Sequence, residues 1–245
     1  MKNVTDTLEK LEIVDIADEG KSVAKHGDLV VFVKGAVPGD VVDIRITRKR
    51  RNFMEGVAIR FHQTSPYRKQ PFCSHFDVCG GCKWQNLDYN QQLYYKQKQV
   101  KDCFERIAGI NTGGVIRNIE DCENIRYYRN KLEYTFSNLR WLDEKDMQTS
   151  DEKRNLNALG FHIPRRFDKV LDIETCYLQA EPSNSIRNEV KDFTLKNNYT
   201  FFDLRKQQGL LRNMIIRNSQ LKELMVIFSF FYKDEEKQKA LMDHI

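Results

Sequence analysis

Three thiols lie within ten residues in the stretch Cys73-Ser-His-Phe-Asp-Val-Cys79-Gly80-Gly81-Cys82-Lys83-Trp84. Five residues separate the first two cysteines and two separate the second pair. This is a metal-site spacing, because a Cys-x-x-Cys turn lets two sulfurs converge on one centre. Gly80 and Gly81 can adopt positive φ and leave backbone N–H groups free to point at thiolate or sulfide, which lowers the cost of gathering negative charge. Such a centre needs a fourth ligand, and Cys103, Cys122, Cys176 and five histidines are available. Cys176 has the most suitable setting, since Val170 to Cys176 reads as a short apolar strand running into polar turn residues, and strand ends present ligands. Cys103 shares a helical face with Val100, Phe104 and Ile107, which predicts a small buried hydrophobe. Cys122 sits among Glu120, Asp121 and Glu123, where carboxylates disfavour a thiolate. An iron–sulfur cluster and a structural zinc both remain open. Three clustered cysteines and a remote one suit the cluster better than zinc ribbons, which pair two Cys-x-x-Cys knuckles.

A second chemistry is written between Asp40 and Lys69. Eight basic residues there (Arg45, Arg48, Lys49, Arg50, Arg51, Arg60, Arg68 and Lys69) face three acidic ones, Asp40, Asp43 and Glu55. That local excess of five equals the net charge of the whole chain, +5. A basic stripe on a small β domain points to a polyanionic partner. Phe53, Phe61 and Tyr67 are interleaved with the charges and are candidates for stacking on bases. Arg129 and Lys131, at the start of a later strand, are further candidates for RNA contact.

The elements that position these groups follow from local patterning. Five short strands are expected between Leu8 and Phe61: Leu8 to Ala17, a second ending at His26, Leu29 to Val33, Val41 to Ile46 and Gly56 to Phe61. Val37-Pro38-Gly39-Asp40 forms a turn among them, and the count and spacing are those of an oligonucleotide-binding barrel. Asp88 caps a helix running to Ala108, with Leu93, Val100, Phe104 and Ile107 inward, Lys96, Lys98 and Lys101 outward, and Gly109 as its stop. A short apolar segment, Val115 to Ile119, comes next. Strands are then expected over 132–137, 156–162 and 169–173, a polar loop over Asp143 to Asn155, and a helix opened by Glu181-Pro182 with Ile186, Val190 and Phe193 inward. Leu210 to Arg217 and Glu223 to Phe231 close as an antiparallel pair. Asp234 to Ile245 starts a helix without a C-terminal cap, which suggests a fraying tail or a piece of a longer protein.

The chain of 245 residues is long enough for one large or two modest domains. It has no apolar run near the roughly 20 residues that span a bilayer and no signal-peptide core at Met1 to Asp6. A cytoplasmic protein is expected, whose six cysteines are ligands or thiols rather than disulfides. No Gly-x-Gly, phosphate loop or Ser/His/Asp arrangement occurs, and His62, His75, His162 and His244 are scattered singly as surface histidines.

Taken together, these residues resemble the RNA uracil-5-methyltransferases that modify 23S ribosomal RNA. The basic barrel with Pro38-Gly39-Asp40 resembles a TRAM domain, and Cys73 to Trp84 is similar to the family's cluster motif. Gln91, Lys96, Gln97 and Val100 on the helix after Asp88, Tyr128-Arg129-Asn130-Lys131, Gly160-Phe161, Asp172 to Cys176 and Gly209-Leu210-Leu211-Arg212 resemble its central domain. The resemblance implies that Cys73, Cys79, Cys82 and Cys176 ligate a [4Fe-4S] cluster with a structural and RNA-positioning role. It also implies ribosomal RNA as partner and S-adenosylmethionine as cofactor, and a monomer that does not engage membranes is expected. In the family's reaction a cysteine thiolate attacks C6 of uracil, C5 accepts the methyl group, and a base removes the C5 proton. The resemblance places those groups and the cofactor site in a C-terminal Rossmann-like domain.

No cysteine here matches the family's nucleophile motif, so no catalytic residue is carried over and the chain by itself is expected to be inactive. The fold class expected is therefore α+β: a five-stranded OB-like barrel over 1–66, a cysteine knuckle and helix over 67–110, and an α+β central domain over 111–245, with a C-terminal Rossmann-like catalytic domain missing. A fragment is preferred to a natural truncation. The competing expectation is a non-catalytic RNA-binding or ribosome-associated module with a structural zinc.

Overall fold

In the barrel, every second residue of Val41–Lys49 (β4) turns inward, and Val42, Ile44 and Ile46 are all buried. The computed structural model describes residues 6–148 and 155–245. Thr7–Ile16 (β1), Ser22–His26 (β2), Leu29–Lys34 (β3), β4 and Phe53–Gln63 (β5) close a barrel in the order β1-β2-β3-β5-β4. All its pairings are antiparallel except β3 with β5. Leu11, Ile13, Ala24, Val31, Val33, Ala36 and Met54 complete the core, in which β-branched residues fit the pleated wall. The turn before β4 carries Gly39 at φ +90°, where a Cβ would sit 2.9 Å from the Ser65 hydroxyl, so glycine is required on both counts.

The barrel belongs to a unit made of Met1–Ser74 and Cys82–Cys122. Asp88 caps Tyr89–Asp102 (α1) by accepting the Asn90 N–H at 3.0 Å, as its residue type predicts. The face that α1 turns to the barrel is the reverse of the one its apolar periodicity predicts. Lys98 bonds Asp15 at 2.7 Å and Asp102 at 2.9 Å, and Gln99 reaches Asp18. Val100 is 50% exposed and Ile107 83%. Carboxylates at the end of β1 draw in the polar face, and no residue of α1 is fully buried. A π-helical turn, Cys103–Ile107, follows and ends before Gly109 at φ +68°. Cys103 is exposed, not the buried hydrophobe expected. Val115 to Ile119 forms no strand. The Gln97 amide holds this segment instead, accepting from Ile119 N–H at 3.0 Å and donating to the Arg117 carbonyl at 3.3 Å.

The second unit comprises His75–Gly81 and Glu123–Ile245. Lys131–Ser137 (β6), Ala158–Ile163 (β7), Arg166–Asp172 (β8), Leu211–Asn218 (β9) and Leu224–Phe230 (β10) form an antiparallel sheet in the order β10-β9-β6-β7-β8. Leu132, Tyr134, Phe136, Leu159, Met214 and Ile216 are buried on one side of it. The loop expected over Asp143 to Asn155 contains a one-turn helix, Glu144–Met147 (α2), and its residues 149–154 lie outside the described residues. Gly209, at φ +112°, brings its backbone so close to Phe201 that a Cβ would lie 2.4 Å from the Phe201 carbonyl oxygen.

Ser183–Lys196 (α3) buries Ser183, Asn184, Arg187, Val190 and Thr194, a largely polar face where Ile186, Val190 and Phe193 are expected. Glu235–His244 (α4) is no frayed tail. Leu241 is buried, the Tyr199 hydroxyl donates to the Lys237 carbonyl at 2.7 Å, and His244 stacks on Phe193 at 4.0 Å between centroids. The fold is thus a closed barrel unit and an antiparallel-sheet unit with helices. A missing Rossmann-like domain is no part of its description.

Candidate nucleic-acid interface

The β4–β5 hairpin displays Arg45, Arg48, Lys49, Arg50 and Arg51 to solvent. The hairpin is closed by the Arg50 N–H bonding the Phe53 carbonyl at 2.9 Å. Of these five cations, Arg48 alone has an ion pair among the described residues, with Glu55 at 3.6 Å. Water and salt screen these exposed charges, so they contribute little to the stability of the barrel itself. Arg68 serves another purpose: it bonds the buried Asp40 and the Gly35 carbonyl, and its guanidinium lies 4.7 Å from the Phe61 ring centroid. The interleaved aromatics also separate. Phe53 packs edge-on against Phe32 at 5.7 Å, while Phe61 and Tyr67 keep much of their surface exposed.

The cysteine knuckle is divided. Cys73 and Cys82 belong to the first unit, Cys79 and Cys176 to the second. In the first unit the Cys73 N–H donates to the Gln85 side chain at 3.2 Å, and Trp84 packs so tightly on Gly20 that a Cβ there would clash with the indole. In the second, the Gly81 N–H points at Cys79 Sγ at 3.4 Å, the expected way to stabilise sulfur charge. Neither Gly80 nor Gly81 takes positive φ, and Asp77 takes it instead at +70°. What Gly80 supplies is close approach, since a Cβ would lie 3.1 Å from the His162 carbonyl.

Among the described residues no group of three or more His, Cys, Asp or Glu side chains is gathered to hold a metal ion. The soft thiol donors are of the kind that iron–sulfur centres and zinc select.

Cys176 is buried, and its backbone is gripped on both sides by one amide: its N–H donates to Asn184 Oδ1 at 2.7 Å and its carbonyl accepts from Asn184 Nδ2 at 3.2 Å. Asn184 in turn accepts from Arg187 Nη1 at 2.9 Å. Arg187 is wholly buried, donates to the Ile173 and Glu174 carbonyls at 3.1 and 2.6 Å, and lies 5.2 Å from the Tyr134 ring centroid. Burial pushes the Tyr134 hydroxyl up and the nearby His75 imidazole down from their ordinary values. Sequence reasoning missed Asn184 and Arg187. The signal available was their i, i+3 spacing on the same helical face as Val190.

Arg129 and Lys131 are exposed at the entry to β6, with the Arg129 N–H bonded to the Leu178 carbonyl at 2.8 Å. Among the described residues no helix is long and apolar enough to cross a membrane.

Comparison with known proteins gives this geometry its class. A TRAM domain model matches residues 9–59, the barrel strands. An uncharacterised RNA methyltransferase of Bacteroides thetaiotaomicron is 52% identical over 86% of this chain and 46% of its own length. Relatives described in the same words from Porphyromonas gingivalis and Chlorobaculum tepidum are 44% and 35% identical over 95% and 96% of this chain, and 51% and 50% of their own lengths. A crystal structure of Pyrococcus abyssi tRNA (uracil-54, C5)-methyltransferase with S-adenosyl-L-homocysteine matches with a TM-score of 0.63 at 22% identity, over 95% of this chain and 48% of that one. That likeness is one of fold.

Residues 9–59 thus match the TRAM domain, and nearly the whole chain is similar to proteins described as RNA methyltransferases. It spans about half the length of the curated relatives it matches. These matches correct the expected fold class. They run along nearly the whole chain, so the shared fold is the barrel and sheet that are present, not one defined by a missing catalytic domain.

Proposed function

We propose that this chain grips RNA in the S-adenosylmethionine-dependent methylation of uracil C5, with 23S ribosomal RNA as substrate and the cytoplasm as the place of action. The observation that carries the reading is the exposed cationic hairpin of a TRAM-matching barrel, in which Arg45, Lys49, Arg50 and Arg51 have no ion pair among the described residues. Arg129 and Lys131 are further proposed RNA contacts, on the second unit. Cys73, Cys79, Cys82 and Cys176 are the proposed ligands of a [4Fe-4S] cluster, on the support of their spacing and donor chemistry, and no chemical step is routed through it.

The reading is tested by measuring affinity for unmodified 23S rRNA fragments across a salt series. Each phosphate contact to a single strand adds about 0.7 to the slope of log K against log salt, so the Arg50→Gln/Arg51→Gln protein should lose about 1.4. An unchanged slope would mean that the hairpin merely solvates the barrel. Stronger binding to tRNA than to rRNA would overturn the ribosomal assignment. In a tritiated-methyl assay with S-adenosylmethionine, label at any atom other than uracil C5 would overturn the reaction.

A further inference from the structure

Two cations face each other directly on the second unit's sheet. In the β6–β9 ladder Lys131 is paired with Arg217, and both are exposed. Directly opposed side chains on an antiparallel ladder have Cβ atoms about 4.5–5.5 Å apart, and like charges there repel. The repulsion is not relieved from within. No ion pair of either residue is found among the described residues, even though Glu133 is two positions along β6 and therefore on the same face. On that face β9 and β10 add Met225 opposite Arg217, and the Thr135 and Asn213 side chains bond at 3.4 Å two rungs further along.

The segment leading into this pair supplies rings. Residues 126–130 are laid against 177–178 by bonds from the Tyr127 N–H to the Tyr177 carbonyl and from the Arg129 N–H to the Leu178 carbonyl, both 2.8 Å. Tyr127 and Tyr128 are left exposed, and Arg126 lies 5.8 Å from the Tyr177 ring centroid. A like-charge pair that a bound anion would relieve, next to exposed tyrosines, has the make-up of a seat for single-stranded nucleic acid: phosphate on the cations, bases on the rings.

We infer that Lys131 and Arg217 together seat a backbone phosphate of single-stranded RNA, with Tyr127 and Tyr128 stacking the adjacent bases. The inference rests on the reading of this chain as an RNA-gripping protein and deepens it on the second unit, where it adds a residue, Arg217, that no motif marked.

The experiment measures binding of a single-stranded oligoribonucleotide to the whole chain across a salt series, alongside thermal unfolding. Arg217→Glu turns the repulsive rung into an attractive one, so Tm should hold or rise while affinity at low salt falls about tenfold and the salt slope shallows by about 0.7. Lys131→Glu creates the same opposite-charge rung and should do the same. The exchanged protein Lys131→Arg/Arg217→Lys keeps both cations and should bind like the parent. Tyr128→Ala should weaken binding with the slope unchanged, because stacking releases no counterion. Parent protein that binds with a slope indifferent to both reversals overturns this inference and leaves the RNA reading standing. Parent protein that does not bind RNA overturns that reading, and this inference falls with it. A fall in Tm on both reversals would show that the rung is not repulsive, and would overturn the inference at its premise.

Discussion

Arg68 donates to the carboxylate of Asp40 from Nη2 at 2.5 Å and from Nε at 3.2 Å, and that carboxylate is completely buried. Asp40 also accepts the N–H groups of Val37 at 2.7 Å and Ser65 at 2.8 Å. One ion pair therefore locks the turn before β4 to the chain leaving β5. Breaking one side of a buried pair leaves an uncompensated charge, so Arg68→Ala should destabilise the barrel by about 3–5 kcal/mol in denaturant unfolding. Arg68→Met/Asp40→Asn should recover much of that loss. A double-variant loss equal to the sum of the Arg68→Met and Asp40→Asn losses would show that the two groups are not coupled.

Gly209 and Gly27 separate conformational strain from steric conflict. Both have positive φ, but a Cβ at Gly27 meets nothing within 4 Å while one at Gly209 strikes the Phe201 carbonyl. Gly27→Ala should cost about 1 kcal/mol, the usual left-handed penalty. Gly209→Ala should cost clearly more, with the extra loss in the sheet unit. Equal melting temperatures for the two variants would contradict the placement of Gly209.

Asp43 gives the barrel an acid dependence. The Lys10 N–H bonds its carboxylate at 2.9 Å and holds its pKa below the ordinary Asp value, with burial opposing and His62, at 2.6 Å, adding to the depression. A depressed folded pKa contributes stability that is present above the unfolded value and is lost as pH falls through the folded one. Stability should therefore drop as pH falls below about 4, and Asp43→Asn should flatten that part of the profile in thermal scans from pH 6 to pH 3. Parallel profiles for parent and variant would remove Asp43 from the cause.

The cysteines divide by burial. Protein prepared without oxygen should contain iron and acid-labile sulfide. Cys176→Ser should lower both, because Cys176 is buried and clamped by Asn184. Cys103→Ser should leave metal content and stability unchanged, since that thiol is exposed. Colourless protein carrying one zinc would replace the cluster with the zinc alternative.

The β strands of both units and the Asp88 cap were legible in the chain because they depend on neighbours in sequence: alternation sets strands, and a carboxylate two residues from an N–H sets a cap. The resemblance carried by Cys73 to Trp84 was legible for the same reason. The orientation of α1 was not. Its apolar stripe predicts Val100 and Ile107 inward, but Asp15, 83 residues away from Lys98, holds the other face with an ion pair that periodicity cannot encode. The buried Arg187 was hidden too, because an arginine is read as a surface residue until the Ile173 and Glu174 carbonyls are brought around it to satisfy its donors. Lys131 and Arg217 are 86 positions apart in sequence, and only the register of the β6–β9 ladder makes them neighbours. Patterning along a chain carries the terms that act between near neighbours. Burial of charge and opposition of like charges depend on which distant segments meet, and those were settled by the tertiary structure.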